Sequence, residues 1–150
     1  MTLYPLSKYF LSAFLFISAS SIATSVTPEK NKITLIFSQG KVPLSPLTAV
    51  MAGYIKIKNT ASDTIIFKKF TSPQFSRVEV HQTISKDNML SMQQQHKVII
   101  PSHSTIEFKS GGFHFMLIQA KHRLKSGQIV TITGETSKMK KYNFQLRVSP

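Results

Sequence analysis

The stretch Arg77–Thr83, RVEVHQT, decides the fold class of this 150-residue chain. Its apolar Val78 and Val80 alternate with the polar Glu79 and His81, so each kind occupies one face of a β-strand. Outward from this stretch, short runs rich in β-branched and aromatic residues recur between turn residues. These runs are 33–37, 54–58, 64–70, 98–100, 105–108, 113–118, 129–133 and 142–148.

The spacing of these runs predicts an all-β domain, because no window has the apolar periodicity of a helix. About nine short strands separated by Gly, Pro, Asn and Asp are typical of an antiparallel Greek-key β-sandwich or barrel. The segment Lys41–Pro46 contains two prolines and is expected to be a loop or a sheet edge. No internal repeat indicates a second domain.

Residues 1–23 have the layout of a secretory signal peptide. The apolar run Leu11–Ile17 follows the basic Lys8, and Ser21-Ile22-Ala23 is a small-x-small cleavage site. The run is too short and too rich in Ser for a comfortable membrane span. We therefore expect residues 24–150 to be exported as a single domain with no stable membrane span in the mature form. An uncleaved membrane anchor is the alternative.

The composition excludes several classes of function. The chain has no Cys, which rules out a disulfide scaffold, a thiolate zinc site, an iron–sulfur cluster and a blue-copper centre. The 6 acidic residues are scattered, and no phosphate-binding loop or nucleophile elbow is present, so we expect no enzyme. The net charge of +13 favours acidic partners. Aromatic and basic residues do not alternate along the chain as they do in nucleic-acid-binding proteins, so we expect no nucleic-acid partner.

Two metal-ligating residue types occur together in the run 113–118. On a strand, His114 and Met116 share one face about 6.6–6.8 Å apart, while the apolar residues between and beside them face the core. Together with His81 and Met92 they give two imidazoles and two thioethers in the order H-x10-M-x21-H-x-M. Thioether sulfur is soft and favours copper(I) over zinc, calcium or magnesium, so the pattern predicts a copper(I) site.

This pattern resembles the signature of the periplasmic copper(I) chaperones called PCuAC. The likeness extends to Ala52–Asn59, Ile100-Pro101 and Gly111–Leu117. The resemblance implies a cupredoxin-like fold and a periplasmic monomer that binds Cu(I) through the four ligands named above. It also implies delivery of copper to cytochrome c oxidase, with subunit II or a Sco-type thioredoxin-like protein as the acceptor. Two positions depart from the family pattern, with Ser110 in place of Pro and Gln82 in place of Glu.

Several alternatives remain open. A copper-tolerance or scavenging protein would share the fold and the site but differ in its acceptor. A basic β-sandwich that adheres to polyanions or membranes would need no metal at all. Within the site, Met89 precedes Met92 by three residues and could supply the sulfur instead. The remaining histidines, which stand among polar residues and are expected on the surface, are His96, His103 and His122.

Overall fold

The computed structural model describes residues 34–45, 49–86 and 89–150, which form an all-β fold with ten strands and no helix. The predicted signal peptide lies outside the described residues. The strands are β1 (Leu35–Pro43), β2 (Val50–Asn59), β3 (Ile65–Thr71), β4 (Phe75–Lys86), β5 (Met89–Gln94), β6 (Val98–Ile100), β7 (Thr105–Phe108), β8 (Phe113–Ala120), β9 (Ile129–Thr136) and β10 (Lys141–Ser149). Within these residues there is no helix long and apolar enough to cross a bilayer.

The strands form one sheet in the order β5-β4-β8-β7-β2-β1-β10-β9-β3-β6, and β8 also pairs with β2. Most neighbours are antiparallel, but β1 pairs with β10 and β7 with β8 in parallel. The sheet is therefore mixed and not purely antiparallel, because alternation along a strand does not encode the direction of its partner. The Greek-key, cupredoxin-like arrangement stays a prediction.

The first strand continues through Lys41–Pro43, where the prolines predict a loop or an edge. It pairs with β2 up to Ser38 and again at Lys41, and the register shifts between these two residues. Gln39, within this bulge, adopts a φ of 58°. Beyond this bulge the strand also pairs with β10, and Pro43 lies at its last position. Proline is tolerated at the end of a strand, where a missing N–H breaks no inner ladder bond.

The strand β5 was not expected from the sequence. Its six residues, MLSMQQ, include no β-branched or aromatic side chain, and all are exposed. The strand forms because β4 extends to Lys86 and pairs with it from His81–Gln94 to Lys86–Met89. Pairing with a neighbour, and not local propensity, therefore creates this strand.

The sheet folds back on itself around one apolar core. The rings of Phe70 on β3 and Phe144 on β10 lie 5.2 and 6.4 Å from the ring of Phe115 on β8, measured between centroids. Neither β3 nor β10 is a neighbour of β8 in the sheet, so these contacts cross the core. Val78 and Val80 are buried on the same side. The polar face of β4 and β8 is therefore turned away from the core.

Candidate metal site

The two predicted histidine ligands lie directly opposite each other on β4 and β8. His81 pairs with His114 in the antiparallel register, and their ring centroids are 6.0 Å apart. Both rings are largely covered, with 13% of the His81 side chain and 9% of His114 exposed. Strand pairing thus brings together two imidazoles that are remote in the sequence.

Met116 lies on the same face of the sheet as the histidines. It follows His114 by two residues on β8 and pairs with Glu79 on β4. On its other side it pairs with Ala52 of β2, whose small side chain leaves the thioether room. Since residues two apart on a strand point the same way, the sulfur of Met116 is on the side of the His114 ring.

The register also separates the two methionines of β5. Met92 pairs with Thr83, which lies two residues beyond His81 on β4, so Met92 faces the same side as His81. Met89 is an odd number of residues away and therefore faces the opposite side. Both are exposed, Met92 by 67% and Met89 by 71%, so the Met92 side chain is free to turn toward the imidazoles.

The hydrogen bonds leave one unprotonated nitrogen on each neutral imidazole ring. Nδ1 of His114 lies 3.1 Å from the carbonyl oxygen of Gly112 and donates its proton there, so Nε2 carries the lone pair. Nε2 of His81 lies 2.9 Å from Oε2 of Glu79 and donates to it. Nδ1 of His81 is buried without a hydrogen-bond partner among the described residues. This pattern is typical of a metal-binding histidine, whose second nitrogen is anchored by a carboxylate or a carbonyl.

Sequence reasoning did not single out Glu79 as part of the site. Its carboxylate lies between two cationic or donor groups, 2.7 Å from Nε of Arg77 and 2.9 Å from Nε2 of His81. The alternation V-E-V-H already placed Glu79 on the same face as His81, two residues before it. That alternation was the signal which could have found it.

The two departures from the family pattern do not disturb this face. Gln82 pairs with a core-side residue of β8 and lies on the opposite face from His81, so it changes no charge beside the imidazoles. The turn with Ser110 is closed by a 3.1 Å hydrogen bond from the Gly112 N–H to the Lys109 carbonyl. The three histidines expected on the surface, His96, His103 and His122, are exposed.

The available donors fit a soft ion better than a hard divalent one. Across the described ranges, no group of three or more His, Cys, Asp or Glu side chains gathers in a way that could hold a metal. The other candidate donor on this face of β8 is the sulfur of Met116, two residues from His114. Imidazole and thioether together favour Cu(I) over zinc, calcium or magnesium.

Solved structures of copper-binding domains share this fold. The copper-bound PCuAC domain from PmoF2 superposes with a TM-score of 0.63 and 14% identity, covering 77% of this chain and 92% of that domain. The solution structure of CuI-DR1885 from Deinococcus radiodurans gives a TM-score of 0.61 and 22% identity, covering 76% of each chain. The chain therefore has the fold of the PCuAC domains.

The family itself is established from sequence. A family model described as "Putative lipoprotein LpqE-like" matches residues 21–148. A protein of Leifsonia xyli subsp. xyli named "Putative lipoprotein Lxx21020" is 31% identical over 112 residues, which cover 74% of this chain and 67% of that protein. The chain belongs to the LpqE-like family.

Proposed function

We propose that this protein is an exported copper chaperone that binds Cu(I) on the outer face of β4, β5 and β8. The observation that carries the proposal is the His81–His114 pair, in which each ring is anchored through one nitrogen and keeps the other free. The fold shared with copper-bound PCuAC domains supports the same function. The protein transports the metal and catalyses no reaction.

The ligands in this proposal are His81, Met92, His114 and Met116. Directly paired residues have Cβ atoms about 4.5–5.5 Å apart, and diagonal neighbours lie about 7–8 Å apart, within reach of long side chains. Met92 is such a diagonal neighbour of His81 across the β4–β5 pairing. It closes over the metal by rotation of its own side chain, while the other three ligands stand on the inner strands.

All four ligands are neutral, so the bound ion keeps its positive charge. A thioether has no thiol group and cannot form a disulfide. This suits a carrier outside the cytosol, where a thiolate would be oxidised. Weak neutral ligands also permit release to an acceptor. We propose that the acceptor is the copper centre of cytochrome c oxidase, reached at subunit II or through a Sco-type thioredoxin-like protein.

We place this carrier in the periplasm as a monomer, exported by residues 1–23. The names of its relatives describe lipoproteins. Bacterial lipid attachment uses a cysteine thiol, and none of the 150 residues is Cys. Lipid attachment of that kind therefore has no acceptor within this sequence.

The test is a Cu(I) titration under reducing conditions against a chromophoric Cu(I) chelator. We expect one equivalent to bind, and His81→Ala and His114→Ala each to abolish tight binding. His122→Ala is the matched control, because it removes an exposed imidazole away from the His81–His114 pair and is expected to bind as the parent does. Absence of binding, or equal binding by all three variants, would refute the chaperone function.

A further inference from the structure

A groove of about 720 Å³ lies between β1, β2 and β7, beside the proposed copper site. The apolar surface that it offers includes the ring of Tyr54, because the other apolar residues of the lining, Ile55 and Phe108, are only 2% exposed and belong to the core. The cationic side chains that line it are Lys41, Lys56, Lys109 and Arg147. A partly apolar groove with a cationic rim suits an acidic peptide better than a neutral one.

The groove and the copper site share one face of the sheet. Ala52 of β2 pairs with Met116, and Tyr54 follows Ala52 by two residues, so its side chain points to the same side. Lys41 of β1 pairs with Tyr54 and extends this face into the groove. The groove therefore begins about 7 Å along β2 from the position opposite Met116.

The cations of the groove are poorly compensated. Lys41 lies directly opposite Arg147 in the parallel pairing of β1 with β10, and two like charges at neighbouring positions repel each other. The carboxylate in the lining is that of Glu107, which pairs with Lys56 across the strands and lies 3.5 Å from Nζ of Lys109. Four cations less one carboxylate leave a charge of +3 in the lining among the described residues.

We propose that this groove docks an acidic, extended segment of the protein that receives the copper. The inference rests on the proposed function for the identity of the partner. An acidic segment removes the repulsion between Lys41 and Arg147, and the Tyr54 ring offers it an apolar contact. Complementary charge raises the rate of encounter and fixes orientation, so it would hold an acceptor's ligands beside Met116.

The experiment titrates the copper-free protein with an eight-residue oligoglutamate peptide and follows backbone amides by NMR. We expect shifts confined to residues 39–41, 54–56, 107–110 and 147–149, and binding that weakens as salt is added. The variant Lys41→Gln/Lys56→Gln should bind about tenfold more weakly. The control Lys138→Gln/Lys140→Gln also removes two positive charges, but these lie just before the start of β10, whereas Arg147 lies near its end. This control should bind the peptide as the parent does.

Two results would overturn the proposal. Equal weakening in both double variants would mean that the peptide senses only the net charge. Binding to phosphatidylglycerol vesicles without binding to the peptide would make the groove a membrane surface. Because no copper is present, these results are independent of the Cu(I) titration. A protein that docks the peptide but binds no Cu(I) would refute the chaperone function while retaining the acidic-peptide site.

Discussion

Glu79 determines which nitrogen of His81 carries the proton. Its carboxylate accepts a hydrogen bond from Nε2 and leaves Nδ1 buried and unpartnered among the described groups. Without this acceptor the ring is free to change tautomer or rotate. We expect Glu79→Ala to lower Cu(I) affinity about 10- to 100-fold, as is usual when the partner of a metal-binding histidine is removed. Chelator competition measures the affinity, and nitrogen chemical shifts report the tautomer.

Two further variants distinguish positioning from a general loss of charge. Glu79→Gln keeps an acceptor oxygen and should retain the His81 tautomer and most of the affinity. Glu107→Ala removes another strand carboxylate, one paired with Lys109 instead of a histidine, and should change neither property. An unchanged tautomer in Glu79→Ala would show that the carboxylate does not orient the ring.

Met92 and Met89 offer a matched pair on one exposed strand. Met92 faces the histidines and Met89 does not, so we expect Met92→Ala to lower Cu(I) affinity by at least about tenfold, and Met89→Ala to leave it unchanged. Both substitutions remove the same kind of exposed side chain from β5 and should affect folding equally. A difference in Cu(I) affinity between the two variants therefore reports on the metal site and not on folding. If Met89→Ala instead lowers the Cu(I) affinity in the same competition assay and Met92→Ala does not, the ligand is the sulfur of Met89.

Asn59 joins the end of β2 to the segment after β6. Its buried side chain donates to the carbonyls of Asp63 at 2.8 Å, Ile100 at 3.1 Å and Pro101 at 3.0 Å. Its Oδ1 accepts the N–H of Ala61 at 3.0 Å. One amide thereby satisfies several main-chain groups, which makes it a structural residue.

Asn59→Ala should lower the free energy of unfolding by about 2–4 kcal/mol, since it removes a buried amide that makes hydrogen bonds to four main-chain groups. The control is Asn143→Ala on β10, where an exposed amide oxygen accepts one hydrogen bond from Thr133. We expect that change to cost less than about 1 kcal/mol. Urea unfolding measures both, and equal costs would contradict the anchoring role of Asn59.

The alternation of side chains made β4 and β8 predictable, and it placed His81 and Glu79 on one face. It could not reveal β5, whose residues have no strand preference of their own and are ordered by pairing with β4. For the same reason the sequence left Met89 and Met92 as alternatives, since the choice depends on the register of that pairing. The contact of Glu79 with His81 required the side-chain geometry as well.

Across the folded domain, the core and the proposed copper site occupy opposite faces of the same strands. Val80 is buried in the core, and the adjacent His81 belongs to the outer face. We therefore expect His114→Ala to leave the copper-free protein folded, with a similar melting temperature. The parent should gain about 4 kcal/mol of stability from Cu(I) at about 1,000 times its Kd, and the variant should not.

Calorimetry with and without Cu(I) measures this difference. The His122→Ala variant controls for the loss of an imidazole and should keep the full gain, because its side chain is exposed. A variant His114→Ala that is unfolded before copper is added would contradict the separation of the two faces.

The strand β5 ends the sheet and, within the described part of the chain, pairs with β4 alone. A strand held along one side opens locally at a lower free energy than the strands of the core. Fraying of β5 would carry Met92 away from the imidazoles while the rest of the domain stays intact. The time for which the metal stays bound would then depend on the opening of β5 and not on the rate at which the whole domain unfolds. A substitution that tightens the β4–β5 pairing would therefore slow unloading of the metal.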